Sequence, residues 1–187
     1  MKTKNLVLCA VFAAILAVLA VITVPIGPVP VTLGVLGVML TAVVLGPKKG
    51  AVSVLIYLLI GSVGLPVFSG FKGGFAVLLG PTGGYAWSYI LMALLIGALT
   101  VKLPENQKLA MLKIFAACIL GVVICYAAGT VQFMAVQKTT LTQSLAMCVI
   151  PFIPFDIAKA VVAAIGGLKL SQTLKKAGFT GDLNKPV

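Results

Sequence analysis

The sequence predicts an all-α polytopic membrane protein, a single bundle of about six transmembrane helices forming one domain over residues 1–187. Three observations predict it. Of the 187 residues, 61% are hydrophobic and only 9% charged, whereas a soluble domain carries roughly a quarter charged residues to make a water-facing surface. The apolar residues lie in successive runs, several of them near the ~20 residues that a spanning helix needs. The lysines gather in short clusters between those runs, as loops that set membrane orientation do.

Helix 1 is expected from about Asn5 to Val24; although Lys2 and Lys4 precede it like the start of a signal peptide, its apolar run is too long for one and it reads as a retained helix. The segment Pro25 to Thr32, with three prolines and a glycine, breaks it. Helix 2 follows from Thr32 to Leu45 and stops at Gly46-Pro47-Lys48-Lys49-Gly50. Helix 3, from Ala51 to Ile60, is short for a bilayer. From Gly61 to Gly84 the chain holds eight glycines and two prolines yet stays apolar, so an irregular loop is expected. Helix 4 runs from Tyr85 to Val101, Lys102 to Lys108 forms a polar turn, and helix 5 runs from Leu109 to Val136. A short amphipathic or reentrant piece, Leu141 to Val149, leads through Pro151 and Pro154 into helix 6, Phe155 to Lys176.

With six spans, eleven lysines fall on one side and only Lys72 and Lys138 on the other, while Lys159 lies within helix 6. That bias places both termini in the cytoplasm. The net charge of +11 is therefore topogenic, and no nucleic-acid partner is expected. Arginine and histidine are absent and only three acids occur, Glu105, Asp156 and Asp182. This leaves little for acid–base catalysis, a nucleophile triad or a metal centre, so no enzyme activity, metal or cofactor is expected. No Gly-x-x-x-x-Gly-Lys occurs to bind ATP. Cys9, Cys118, Cys125 and Cys148 lie in or beside apolar runs and read as packing residues.

One ionisable pair remains at membrane depth. Asp156 and Lys159 are three apart on helix 6 and project from nearly one face. Each such charge costs about 2.5–3.5 kcal/mol at the bilayer centre, so the pair is either a ligand site or a mutually neutralised structural element. Its face continues through Ala160, Ala163, Gly166 and Gly167, small residues that let helices approach, which turns the charges toward the bundle. Irregular backbone at this depth survives where it is buried or lines a cavity. Three such elements, the proline-rich segment, the glycine-rich loop and the start of helix 6, converge on the outer side. A small, partly apolar ligand fits among Phe68, Phe71, Phe75 and Tyr85, with glycine amides as donors.

Four segments carry a resemblance: Pro25-x-Gly-Pro-Val-Pro-Val-Thr32, Gly64-Leu-Pro-Val-Phe-x-Gly-Phe-x-Gly-Gly74, Gly80-Pro-Thr-Gly-Gly-Tyr85 and Pro151-Phe-x-Pro-x-Asp-x-x-Lys159. Together they resemble the BioY family, the biotin-specific S components of energy-coupling factor (ECF) transporters, over essentially the whole chain. The chain departs from the family's common pattern at Gly34, often glutamine, and at Phe155, often glycine. The resemblance implies high-affinity biotin binding and uptake across the plasma membrane of a prokaryote. Its implied partners are a transmembrane coupling subunit and two ATPase subunits. It implies a biotin site drawn from Asp156, Lys159, Tyr85, Gly73, Gly74, Gly83, Gly84, Phe68, Phe75 and Thr32. Asp156 would meet the ureido N–H groups, Lys159 the valerate or a polar ring edge, and the glycine amides the carbonyl. The alternatives are an S component for another vitamin, such as riboflavin or thiamine, a ligand-free membrane scaffold, and a self-sufficient carrier. Helix 1 also carries Ala10, Ala13, Ala14, Ala17 and Ala20 within about a third of its circumference. Such a stripe serves either internal packing or docking of another helix, and the resemblance favours docking of the coupling subunit through Ala10, Ala13, Ala14 and Ala17.

Overall fold

The computed structural model describes residues 3–24 and 29–179. Helix α1 spans Thr3–Val21 and ends before the expected Val24. Val21, Ile22, Thr23 and Val24 are all β-branched, and Val24 precedes a proline, so both side chains and backbone favour extension. Thr23–Val24 (β1) accordingly pairs antiparallel with Val31–Thr32 (β2), in the register Thr23↔Thr32 and Val24↔Val31. The part of the proline-rich segment between them, including Pro25, Gly27 and Pro28, lies outside the described residues, as do Lys2, Asp182 and Lys185.

Helices 2 and 3 of the sequence reading form one element, α2 (Gly34–Ser62), interrupted at Gly46. Gly46 takes φ 75° and ψ −175°, a conformation that L side chains rarely adopt, and Pro47 starts the second arm with its φ already set for helix. The chain reverses here. A Cβ placed on Gly50 would lie 3.2 Å from the Cα of Ala42, although residues eight apart in a straight helix are separated by about 12 Å. The two arms, residues 34–45 and 47–62, are therefore an antiparallel hairpin and count as two spans. A Cβ on Gly97 would collide with Gly46 and Pro47, so the turn sits directly against the neighbouring helix.

Beyond a loop, α3 (Phe75–Leu79) is a short helix that the sequence reading placed in irregular chain. Helix α4 spans Gly83–Thr100. Helix α5 spans Gln107–Gln137, started by Asn106, whose side chain accepts from the amides of Lys108 and Leu109. Helix α6 (Leu141–Cys148) opens on a capping box of Thr140 and Gln143. A 3-10 turn, Ile150–Phe152, leads into α7 (Ile153–Lys176). The α2 hairpin packs against α1, α4 and α7, and α5 closes the bundle between α4 and α7. The core includes Leu16, Met39, Val54, Met92, Ile96 and Ile114. Large apolar side chains such as Leu6, Val11, Leu91, Leu120 and Val131 face outward, as a lipid-facing surface requires. By length and apolarity the described residues offer five membrane-crossing segments with α2 counted as one, and its reversal at Gly46 divides that element into two shorter arms, which makes six helical segments.

Several of the described lysines mark one end of the bundle. Lys4 donates to the carbonyl of Gly178 at 2.6 Å and lies over the Phe179 ring, Lys49 reaches Asn5 at 3.1 Å, and Lys113 donates to the carbonyl of Lys102 at 2.7 Å. The start of α1, the Gly46 turn, the α4–α5 turn and the end of α7 thus share one end of the bundle. All four cysteines are buried and free.

Candidate ligand-binding site

The opposite end holds a cavity of about 260 Å³, close to the lower end of the range for small-molecule sites. Its wall combines the α2 second arm, the glycine-rich loop, the start of α4, the outer half of α5 and the start of α7. Tyr57, Phe68, Tyr85, Tyr89, Tyr126 and Phe133 give it a substantial aromatic lining.

Asp156 and Lys159 lie on this wall, 3% and 6% exposed. Pro154 occupies the first turn of α7, where its missing N–H costs nothing, and Asp156 follows beside the positive end of the helix dipole. The Lys159 ammonium donates to Asp156 Oδ1 at 2.7 Å. From α5, the Tyr126 hydroxyl donates to Oδ2 at 2.6 Å. Both carboxylate oxygens are thereby engaged, and the cluster is neutral when Asp156 and Lys159 are charged. Ala160 and Ala163 continue this face into the core, and Gly167 packs on Val43 of α2, which anchors the helix that carries the pair.

The glycine-rich loop is held in place at several points. The buried Phe68 ring stands edge-on to Tyr57, 5.6 Å between centroids, and covers Gly61. The Phe68 amide donates to the carbonyl of Lys72 at 2.9 Å, closing a tight turn. The Gly74 amide donates to the carbonyl of Gly61 at 2.7 Å. Farther on, the Leu78 carbonyl accepts from both Trp87 Nε1 (3.2 Å) and Gln132 Nε2 (2.9 Å), and Gln132 also donates to Gly80 at 2.8 Å. These bonds give irregular backbone the partners it needs at bilayer depth.

Of the residues singled out from the sequence, Asp156, Lys159, Tyr85, Gly83, Phe68 and Thr32 border the cavity. The Tyr85 hydroxyl lies 3.5 Å from the carbonyl of Cys148, and Thr32 Oγ1 accepts from the Gly34 amide at 3.1 Å. Gly73, Gly74, Gly84 and Phe75 are not on its wall. Gly73 packs on the carbonyls of Gly64 and Leu65, and Gly84 allows α4 to approach α5 at Ala128 and Gly129. The amides of Gly74 and Gly83 are committed to Gly61 and Gly80; Gly74 is placed by its positive φ of 99°, and Gly83 makes room for the carbonyl of Leu78. Phe71 and Phe75 are 70% and 52% exposed, and Phe71 too is not on the cavity wall.

Tyr126 was not singled out from the sequence, although a tyrosine within an apolar span needs a partner for its hydroxyl, and that need is a readable signal. Ser69 and Lys72, also on the wall, carried no such signal. On α1, Ala10 and Ala14 are exposed and Ala17 is partly so, whereas Ala13 is 1% exposed and packs into the core with Ala20. Any surface on this stripe is therefore narrower than the sequence spacing implied.

A family model, described as the BioY family, matches residues 1–176. A biotin transporter BioY from Thermotoga maritima is 41% identical over 169 residues, covering 90% of this chain and 96% of that protein. One from Rhizobium etli is 40% identical, covering 89% and 92%. A crystal structure described as the S-component for biotin from an ECF-type ABC transporter superposes with a TM-score of 0.81 at 31% identity, covering 91% of this chain and 92% of that one.

Proposed function

The chain belongs to the BioY family, and from that premise we propose that it binds biotin and imports it as the substrate-specific subunit of an ECF-type ABC transporter. The observation that carries the reading is the aromatic cavity with the Asp156–Lys159–Tyr126 cluster in its wall. Biotin is an apolar fused ring with a thioether, a ureido group of two N–H donors and one acceptor, and an anionic valerate. Aromatic walls take up the ring, Asp156 accepts from the ureido N–H groups, and Lys159 donates to a ligand oxygen. A cavity of about 260 Å³ suits a ligand of that class.

ATP hydrolysis belongs to separate subunits in this reading, two ATPases joined through a transmembrane coupling subunit. The exposed alanines Ala10 and Ala14, with the free edge of Ala17, form the docking surface, since small residues let a partner helix come close in lipid. The lysine-rich end faces the cytoplasm, and the cavity faces outward in the plasma membrane. The test is direct: purify the protein in detergent from cells grown with biotin and identify the small molecule released on denaturation. Biotin in near-equimolar amount is the expected result, and a different vitamin would refute the assignment.

A further inference from the structure

The cavity has a second polar feature, separate from the Asp156 cluster. The turn from Phe68 to Lys72 is closed by the Phe68 amide and rooted by the buried Phe68 ring. At its tip Gly70 and Phe71 both take positive φ, 70° and 57°. A phenylalanine at positive φ is uncommon, and such outliers persist where the surroundings enforce them. Two polar residues of the turn line the cavity. Ser69 Oγ is buried and has no hydrogen-bond partner among the described residues. Lys72 borders the same cavity, is exposed, and has no ion-pair partner among the described residues.

We propose that this turn recognises the carboxylate of the ligand, with Lys72 supplying the charge and Ser69 a hydrogen bond. The ligand then lies with its neutral ureido head on Asp156, Lys159 and Tyr126 and its acidic chain toward the exposed rim. Charge decides the orientation. The Lys159 ammonium is already neutralised by Asp156 at 2.7 Å, so a carboxylate placed there would bring a second anion against one cation in a buried site, where like-charge repulsion is strong. A carboxylate at the rim meets an unneutralised ammonium and stays partly hydrated. The buried Ser69 hydroxyl gains the partner it lacks, and buried polar groups without one are rare in native proteins. Ser69 and Lys72 thus become specificity-determining residues that distinguish an acid from its neutral derivatives.

The proposal rests on biotin being the ligand, and the experiment separates the two. Binding of biotin and of biotin methyl ester is measured by calorimetry for the wild type, Lys72→Gln and Ser69→Ala in detergent. The wild type should prefer biotin. Lys72→Gln should lose roughly tenfold in affinity for biotin, as expected of one charge-assisted contact, while the ester, which has no charge to lose, binds unchanged. Ser69→Ala should weaken biotin by a smaller factor. If Lys72→Gln retains wild-type affinity for biotin, or loses acid and ester in parallel, the turn does not read the carboxylate. A wild type that binds neither compound refutes the biotin reading itself.

Discussion

Removing the Asp156 carboxylate tests the site at its centre. In Asp156→Ala, the Lys159 ammonium, only 6% exposed, loses its sole ion-pair partner among the described residues, and the Tyr126 hydroxyl loses its acceptor. Breaking a buried pair by removing one member costs about 3–5 kcal/mol of stability. Binding suffers separately. Hydrogen bonds to charged groups contribute about 1.5–3 kcal/mol each, so losing the acceptor for the ureido N–H groups should weaken biotin binding by about 2–4 kcal/mol, or roughly 30- to 1000-fold. The double variant Asp156→Ala/Lys159→Ala separates the two effects, because it leaves no charge stranded. It should recover much of the thermal stability lost in the single variant. Biotin affinity, measured by calorimetry on both purified variants, should stay low. If the double variant recovers wild-type affinity along with stability, the pair is only structural and the ligand site lies elsewhere.

Other parts of the account predict separate outcomes. Tyr126→Phe removes one donor from Asp156 without unfolding the aromatic wall, and equilibrium binding should show roughly a tenfold loss of biotin affinity; unchanged affinity would limit Tyr126 to packing. Gln132→Leu strips the bonds to the carbonyls of Leu78 and Gly80, and should speed hydrogen exchange in residues 75–82 and weaken binding, whereas unchanged exchange would show that the loop is held by its apolar contacts. Ala10→Trp or Ala14→Trp should abolish cellular biotin uptake and co-purification of partner subunits while leaving binding by the isolated chain intact; loss of binding would mean that α1 acts within the bundle. Single cysteines placed at Lys48 or Glu105 in a cysteine-free background should resist impermeant thiol reagents from outside the cell, and strong external labelling would invert the topology.

The hydropathy pattern was sufficient for the spans and insufficient for the cavity. The later helices begin and end close to where their apolar runs do: α4 covers Gly83–Thr100 against an expected 85–101, and α7 covers Ile153–Lys176 against 155–176. A lipid-facing helix must be apolar along its length, so its limits are written locally. Helix α1 ends early because Thr23 and Val24 find partners in Val31 and Thr32, and such pairing depends on where the chain returns. The spacing of Asp156 and Lys159 made that pair legible, since three residues on one helix share a face. Tyr126 and Lys72 reach the same cavity from α5 and from the loop, across contacts that no local pattern encodes. Glycines drew attention as ligand donors. The amides of Gly74 and Gly83 are spent inside the fold, and Gly61 and Gly84 instead make room for Phe68 and α5. Composition shows that small residues are needed without showing what approaches them.

The most direct test of the central claim is a calorimetric titration of the isolated chain, in detergent and without nucleotide, with biotin. The described residues that line the cavity all belong to this one polypeptide, so saturable binding of one biotin per chain is the predicted result. A folded sample that takes up no biotin, or that requires the ATPase subunits before it binds, would contradict the account.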